Sequence, residues 1–242
     1  MRYILVKEFR SFLNSLIAYM VMAVFLTAMG LLTWVFPDTS VLNYGFADMG
    51  TLFSLAPYVF IFLIPAITMR SFAEEKKSGT LELLLTKPLS DWDIVLGKFF
   101  ACFFLVVIAI LPTLIYYFSI RQLGNPIGNI DTSGVMGSYI GLLLLSAIFC
   151  SIGLLASSST PNQIVAFILA AFLCFIIFTG FHSLSSLPVL ASVAVGVKQL
   201  GILHHYETLS KGLIDSRDVI YFISVTALLL LFTKTILSAR TW

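Results

Sequence analysis

Charge is what this sequence has least of. Lys, Arg, Asp and Glu make up 11% of its 242 residues and 59% are hydrophobic, where a soluble domain carries about 25% charged residues. A water-soluble chain of this length could not bury that much apolar surface, so the expected solvent is lipid. Cysteine is also scarce. Cys102, Cys150 and Cys174 all sit inside apolar runs, without a second Cys or a His at metal-ligand spacing. That argues against a disulfide framework and favours small buried hydrophobes.

Several chemistries are missing. There is no G-x-x-x-x-G-K-[ST] phosphate loop; the nearest Lys-Ser pair, Lys77-Ser78, lacks the upstream glycine. No Asp or Glu falls in the core of an apolar run, where an ion-coupled carrier would keep one. No internal repeat of the kind such carriers are built from is visible. Neither H-E-x-x-H nor G-x-S-x-G occurs. His204 and His205 are adjacent, but neighbours at i, i+1 do not share a helix face, and only Glu207 lies near as a further ligand. His182 reads as a polar ring at a span end. No catalytic site, metal, cofactor or nucleic-acid partner is expected.

What is present is a set of six apolar stretches, each of the roughly 20 residues a membrane helix needs: Leu16 to Phe36, Thr51 to Met69, Phe99 to Ile120, Val135 to Ser157, Ile164 to His182 and Val219 to Leu237. The first follows a basic start but is too long for a signal peptide and lacks a small-residue cleavage site, so it is expected to stay as a span. Pro57, Pro65 and Pro112 lie inside spans two and three and should bend them. In lipid such bends persist only where neighbours satisfy the freed carbonyls. With the first residues inside, Arg2, Lys7, Arg10, Arg70, Lys76, Lys77, Lys87, Lys98, Lys234 and Arg240 are internal, against Arg121, Lys198, Lys211 and Arg217 outside. That asymmetry predicts that both termini face the cytoplasm.

Residues 1–15 are amphipathic. Ile4, Leu5, Phe9, Phe12 and Leu13 share one helical face, and Lys7, Arg10 and Asn14 another. This predicts a helix lying in the membrane interface; a basic extension of the first span is the alternative. Residues 183–217 carry an apolar run broken by Pro188, Gly196 and Lys198, read as short helices dipping into the outer leaflet. Ser157-Ser158-Ser159, before Thr160-Pro161-Asn162, reads as a tight turn. Ser138, Gly141, Ser146, Ser151, Gly153, Thr179 and Gly180 fit packing surfaces better than a polar path.

The chain's charge gathers in residues 70–98, RSFAEEKKSGTLELLLTKPLSDWDIVLGK, with five of the fourteen basic and five of the twelve acidic residues. Gly79 should stop one short helix, Thr80 should open a second with Glu82 in its first turn, and Pro88 should end it. Ser90 or Asp91 should then start span three. Two readings fit: a docking knob for a partner, or a charged loop that only fixes topology.

Glu74-Glu75-Lys76-Lys77-x-Gly79-Thr80-Leu81-Glu82-x-Leu84-Leu85, followed by Pro88, resembles the hallmark of ABC-2-type permeases, membrane subunits whose ATPase is a separate chain. The resemblance extends over essentially the whole sequence. A second stretch, from His205-Tyr206-Glu207 through Lys211-Gly212 and Arg217-Asp218 to Tyr221-Phe222, is similar to the GldF branch of gliding-motility permeases. The resemblance implies an all-α integral membrane protein, a single transmembrane domain over 1–242 with six spans of the ABC-2 exporter type and a coupling helix between spans two and three. It implies that Glu74, Glu75, Lys76, Lys77 and Glu82 contact the ATPase or brace the interfacial helix, with Gly79 and Thr80 setting the turn. It also implies a GldA-like ATPase that binds the ATP and magnesium, and a GldG-like second permease or a second copy of the chain. Export is one expected task; the other is mechanical work on the envelope without moving a substrate.

Overall fold

The computed structural model describes residues 1–43, 45–85, 89–188, 193–212 and 214–239, apart from the side chains of Leu83 and Leu85. Lys87, Pro88 and Arg240, each used in the sequence reading, lie outside them. Helix α1 (Arg2–Leu13) leads to α2 (Leu16–Trp34), the first span. The second span, α3 (Gly50–Thr68), runs after a one-residue break at Met69 into α4 (Arg70–Lys77), and α5 (Thr80–Leu85) follows the turn at Gly79. Span three is α6 (Asp91–Ile110), a 3-10 turn and α7 (Leu114–Leu123). Span four is α8 (Thr132–Ser159). Span five joins α9 (Gln163–Phe175), a π-helical turn (Ile176–Gly180) and α10 (Phe181–Ser185). The short α11 (Ala194–Gln199) and α12 (Ile202–Ser210) precede the last span, α13 (Ser216–Ser238). Six helices are long and apolar enough to cross a membrane, and the described residues contain no strand.

Two features of these elements follow from proline. Pro112 sits in the 3-10 turn Leu111–Thr113, which divides α6 from α7. Pro57 lacks the N–H that would bond the Phe53 carbonyl four residues back, and the Tyr206 hydroxyl of α12 donates to that carbonyl at 2.6 Å. The expected rescue of a freed carbonyl is therefore made by a tyrosine from a distant helix. Burial pushes the Tyr206 phenol well up, which keeps it a donor.

Spans two, three and four form the centre, with 61%, 61% and 72% of their apolar windows buried, against 28% for spans one, five and six. Ile164, Ile168, Phe172 and Phe175, exposed along α9, mark a face left for lipid. Small residues let α8 approach its neighbours. A Cβ on Gly153 would fall 1.9 Å from the Thr68 hydroxyl of α3, and one on Gly137 would fall 2.4 Å from the Leu209 carbonyl of α12. Ser146 and Ser151 are buried and donate to carbonyls of their own helix, in keeping with packing rather than a polar path. The turn after span four is shorter than read from sequence: α8 continues through Ser159, and the chain reverses over Thr160 to Asn162. Ser157 and Ser158 are buried helical residues because each has a carbonyl to bond.

Replacing Gly153 by Val forces α8 from α3 at Thr68. We expect a destabilisation of about 1–3 kcal/mol, measured as a lower melting temperature in detergent. Gly196→Val, where a Cβ has open space, serves as the neutral control.

Candidate functional site

The charged stretch folds into two parts with opposite exposures. Gly79 takes φ +69°, the left-handed region, and a Cβ there would meet nothing within 4 Å. Backbone conformation, not crowding, is therefore what calls for glycine. The Ser78 hydroxyl meets that of Thr80 at 2.8 Å and donates to the Glu74 carbonyl at 2.9 Å, tying the turn to α4. Glu74, Lys77, Gly79, Thr80 and Glu82 are exposed at this tip, while Leu81 is buried and anchors it. Glu74 lies 3.6 Å from Arg70 one turn back. Past the tip, Ser90 and Asp93 form a reciprocal capping box that starts α6.

Glu75 and Lys76 point the other way. The Lys76 amine donates to the Ser158 carbonyl at the end of α8. Glu75 meets Lys98 of α6 at 3.0 Å, and Lys98 also meets Glu8 of α1 at 3.2 Å. Lys98 is 1% exposed, donates to the Ser71 carbonyl at 2.6 Å and lies 5.1 Å from the Phe72 ring centre. A buried amine is tolerable only with such a shell, since removal from water costs several kcal/mol. Lys7 closes the cluster from the surface, 3.2 Å from Glu8 and 3.5 Å from Glu75. Partial burial opposes the Lys7 charge, but the two carboxylates outweigh it and raise its pKa above the ordinary 10.5. Its contribution is therefore complete at neutral pH and is lost as pH climbs through the raised value.

The apolar face of α1 packs on α6, with Ile4 against Gly97, where a Cβ would come 2.8 Å from the Ile4 methyl. Of the two basic residues read as facing lipid head groups, Arg10 is exposed and Lys7 is drawn into the carboxylate cluster. Sequence reading missed Glu8 and treated Lys98 only as a topology signal. A signal was there: Glu8 falls one turn after Ile4 on the apolar side, and Lys98 sits between Leu96 and Phe99 inside the helix that becomes span three.

Ser157, read from sequence as part of a turn, lies in the last turn of α8. Its hydroxyl donates to the Met69 carbonyl at 2.9 Å and accepts the N–H groups of Phe72 and Ala73, both at 3.0 Å. One side chain thus fills all its hydrogen-bonding positions at the break between α3 and α4. The last turn of α13 reaches the same end of the bundle, where the Ser238 hydroxyl donates to Asp91 at 2.8 Å and Lys234 lies over the Trp92 ring.

At the far end, the second recognised stretch forms a fastening. His205 meets Asp218 through Nδ1 at 2.6 Å and the Gln199 carbonyl through Nε2 at 2.8 Å, and stacks on Tyr221 at 4.0 Å. The Gln199 carbonyl can only accept, so Nε2 carries a proton. The Tyr221 hydroxyl donates to the Leu200 carbonyl at 2.6 Å. Asp215 caps α13 by accepting from the Arg217 N–H. His205 is committed to these neighbours, and no three His, Cys, Asp or Glu among the described residues are placed to hold a metal ion.

Six helices long and apolar enough to cross a membrane, with a braced, charged helix pair between spans two and three, define a multi-pass membrane protein. The sequence profile described as ABC-2 family transporter protein matches residues 3–238, and the chain belongs to that family. It is a membrane permease component of an ABC transporter, and membership implies an ABC ATPase as partner. No curated protein matches the chain significantly.

Lys98→Met leaves the Glu8 and Glu75 carboxylates without their buried counter-charge, and we expect a loss of about 3–5 kcal/mol. Thermal unfolding in detergent checks this. Adding Glu8→Gln and Glu75→Gln should recover much of the loss; a single variant as stable as the parent would show that the cluster does not hold these helices together.

Proposed function

We propose that residues 70–98 are the coupling element of this permease, seated on a separate ATPase in the cytoplasm. Both termini then face the cytoplasm, in a bacterial inner membrane. The observation that carries this reading is the division of α4 and α5 into an exposed outer surface and an inner face tied to α1, α6 and α8. Lys77, Gly79, Thr80 and Glu82, with Glu74, form the surface offered to the ATPase; Glu75 and Lys76 are the brace. Closure of two ATP-loaded ATPase subunits pushes the outer surface. The inner face passes the push to span three through Glu75–Lys98 and to span four through Ser157 and Lys76. ATP and magnesium are held by the partner. The similarity over 205–222 supports a place in the gliding-motility branch, as a GldF-type subunit with a GldA-like ATPase and a GldG-like second permease. A homodimer is the arrangement if no second permease is present.

The buried, self-bonded serines of α8 favour a second reading, in which the subunit transmits mechanical work and passes no hydrophilic cargo. Flux of cargo from ATP-loaded proteoliposomes separates the two.

The first test is purification of the tagged chain from its own membrane in gentle detergent with identification of co-purifying chains. An ABC ATPase is expected. Glu82→Ala should weaken its retention about tenfold, equivalent to about 1.4 kcal/mol, without lowering the melting temperature of the permease; Gly79→Val, strained at φ +69°, should weaken retention as much with a modest fall in melting temperature. Recovery of the chain without an ATPase, or full retention and full ATPase stimulation in both variants, would count against the coupling role.

A further inference from the structure

A cavity of about 480 Å³ opens at the end of the bundle opposite the charged stretch. Its wall comes from the start of α3, the start of α8, the π-helical turn and end of span five, and α12. That volume lies in the range that takes a small organic ligand, about 300–1,000 Å³. Its charge leans to one sign. Three carboxylates, Asp48, Asp131 and Glu207, line it together with the His182 ring, and its described lining holds no Lys or Arg. Asp131 caps α8 by accepting from Gly134 at 3.1 Å. The Asp48 and Glu207 carboxylates have no hydrogen-bond or ion-pair partner among the described residues, and Glu207 is half-buried. Between the carboxylates runs an aromatic wall: Tyr58 meets Phe178 edge-on at 5.7 Å, and Phe178 meets Tyr206 at 6.4 Å. Ring faces and carboxylates attract the same kind of charge.

We propose that this cavity binds an organic cation with an apolar body. No three acidic, His or Cys groups among the described residues come together as a metal site. A cation with an apolar body can face the carboxylates and lay its apolar part on Tyr58 and Phe178. The cavity is walled by span two, whose other end carries the coupling helices. As a cargo or control site the cavity rests on the transport reading above; as a binding site it does not.

The test uses the full chain in nanodiscs of phosphatidylglycerol, titrated with tetraphenylphosphonium and read by equilibrium dialysis against empty discs. Saturable binding is expected for this cation. Tetraphenylborate, of the same size and shape but opposite charge, should show only the partition seen in empty discs. Glu207→Gln with Asp48→Asn removes two charges while keeping shape, and should weaken binding about tenfold. No saturable binding, equal saturable binding of the two ions, or unchanged affinity in the double variant overturns the proposal. Discs that keep one fixed share of phosphatidylglycerol, completed with either phosphatidylethanolamine or an uncharged glycolipid, identify the source of the cation at equal surface charge. A fall in apparent affinity with phosphatidylethanolamine assigns the cavity to a lipid ammonium head group; an unchanged value assigns it to a soluble cation. No ATPase or nucleotide is present, so a negative result leaves the coupling reading standing, and failure of coupling leaves this binding intact.

Discussion

The arrangement of the charged end depends on one amine kept almost dry. Lys98 sits about two turns inside the helix that becomes span three, and its charge is tolerable there because Glu8, Glu75 and the Ser71 carbonyl surround it. Those partners come from α1 and α4. Neither helix can leave α6 without stranding a charge in a low-dielectric setting, where the cost of an unpaired ion is steep. The terminal amphipathic helix and the first helix of the charged stretch are thereby made parts of one body with span three. This body differs from an ordinary surface salt bridge, which adds little, because its central group is sealed from water.

Ser157 supplies a second, neutral fastening, from span four to the break between α3 and α4. The two together leave α5 and its flanking turn as the part not tied down from all sides. At the far end, α12 and the start of α13 are held by the His205–Asp218 pair and by Tyr206 reaching into span two. Span two therefore has a fixed point at each end. One is the Tyr206 bond at Phe53; the other is the Ser157 bonds around Met69 to Ala73. A displacement at one end of this helix has a rigid, hydrogen-bonded route to the cavity at the other.

The spans were legible because lipid imposes a length and composition that no other solvent requires, and the six apolar stretches stand where the helices stand. Gly79, Ser90 and the short helices between spans two and three were legible from local chemistry: a left-handed turn position and a capping box. The brace was not, because it is made of pairs 23 to 90 residues apart in sequence, from Glu75 with Lys98 to Glu8 with Lys98, and only tertiary packing brings them together. Ser157 was misread for a related reason. A run of three serines before a Thr-Pro-Asn turn has the local signature of a loop, and only the exposed backbone of a neighbouring helix break makes a buried serine favourable there. The π-helical turn in span five carries no sequence signal comparable to a proline.

The bond from Tyr206 to Phe53 makes two distant positions share one history. The hydroxyl has a carbonyl to serve only because residue 57 is proline; with an N–H restored at 57, helix α3 would satisfy Phe53 by itself and a phenylalanine at 206 would lose little. Substitutions at these two positions, 149 apart in the chain, are therefore conditional on one another. In any lineage of this protein the tyrosine becomes free to change once the proline has gone, and the proline is tolerated once the tyrosine is in place.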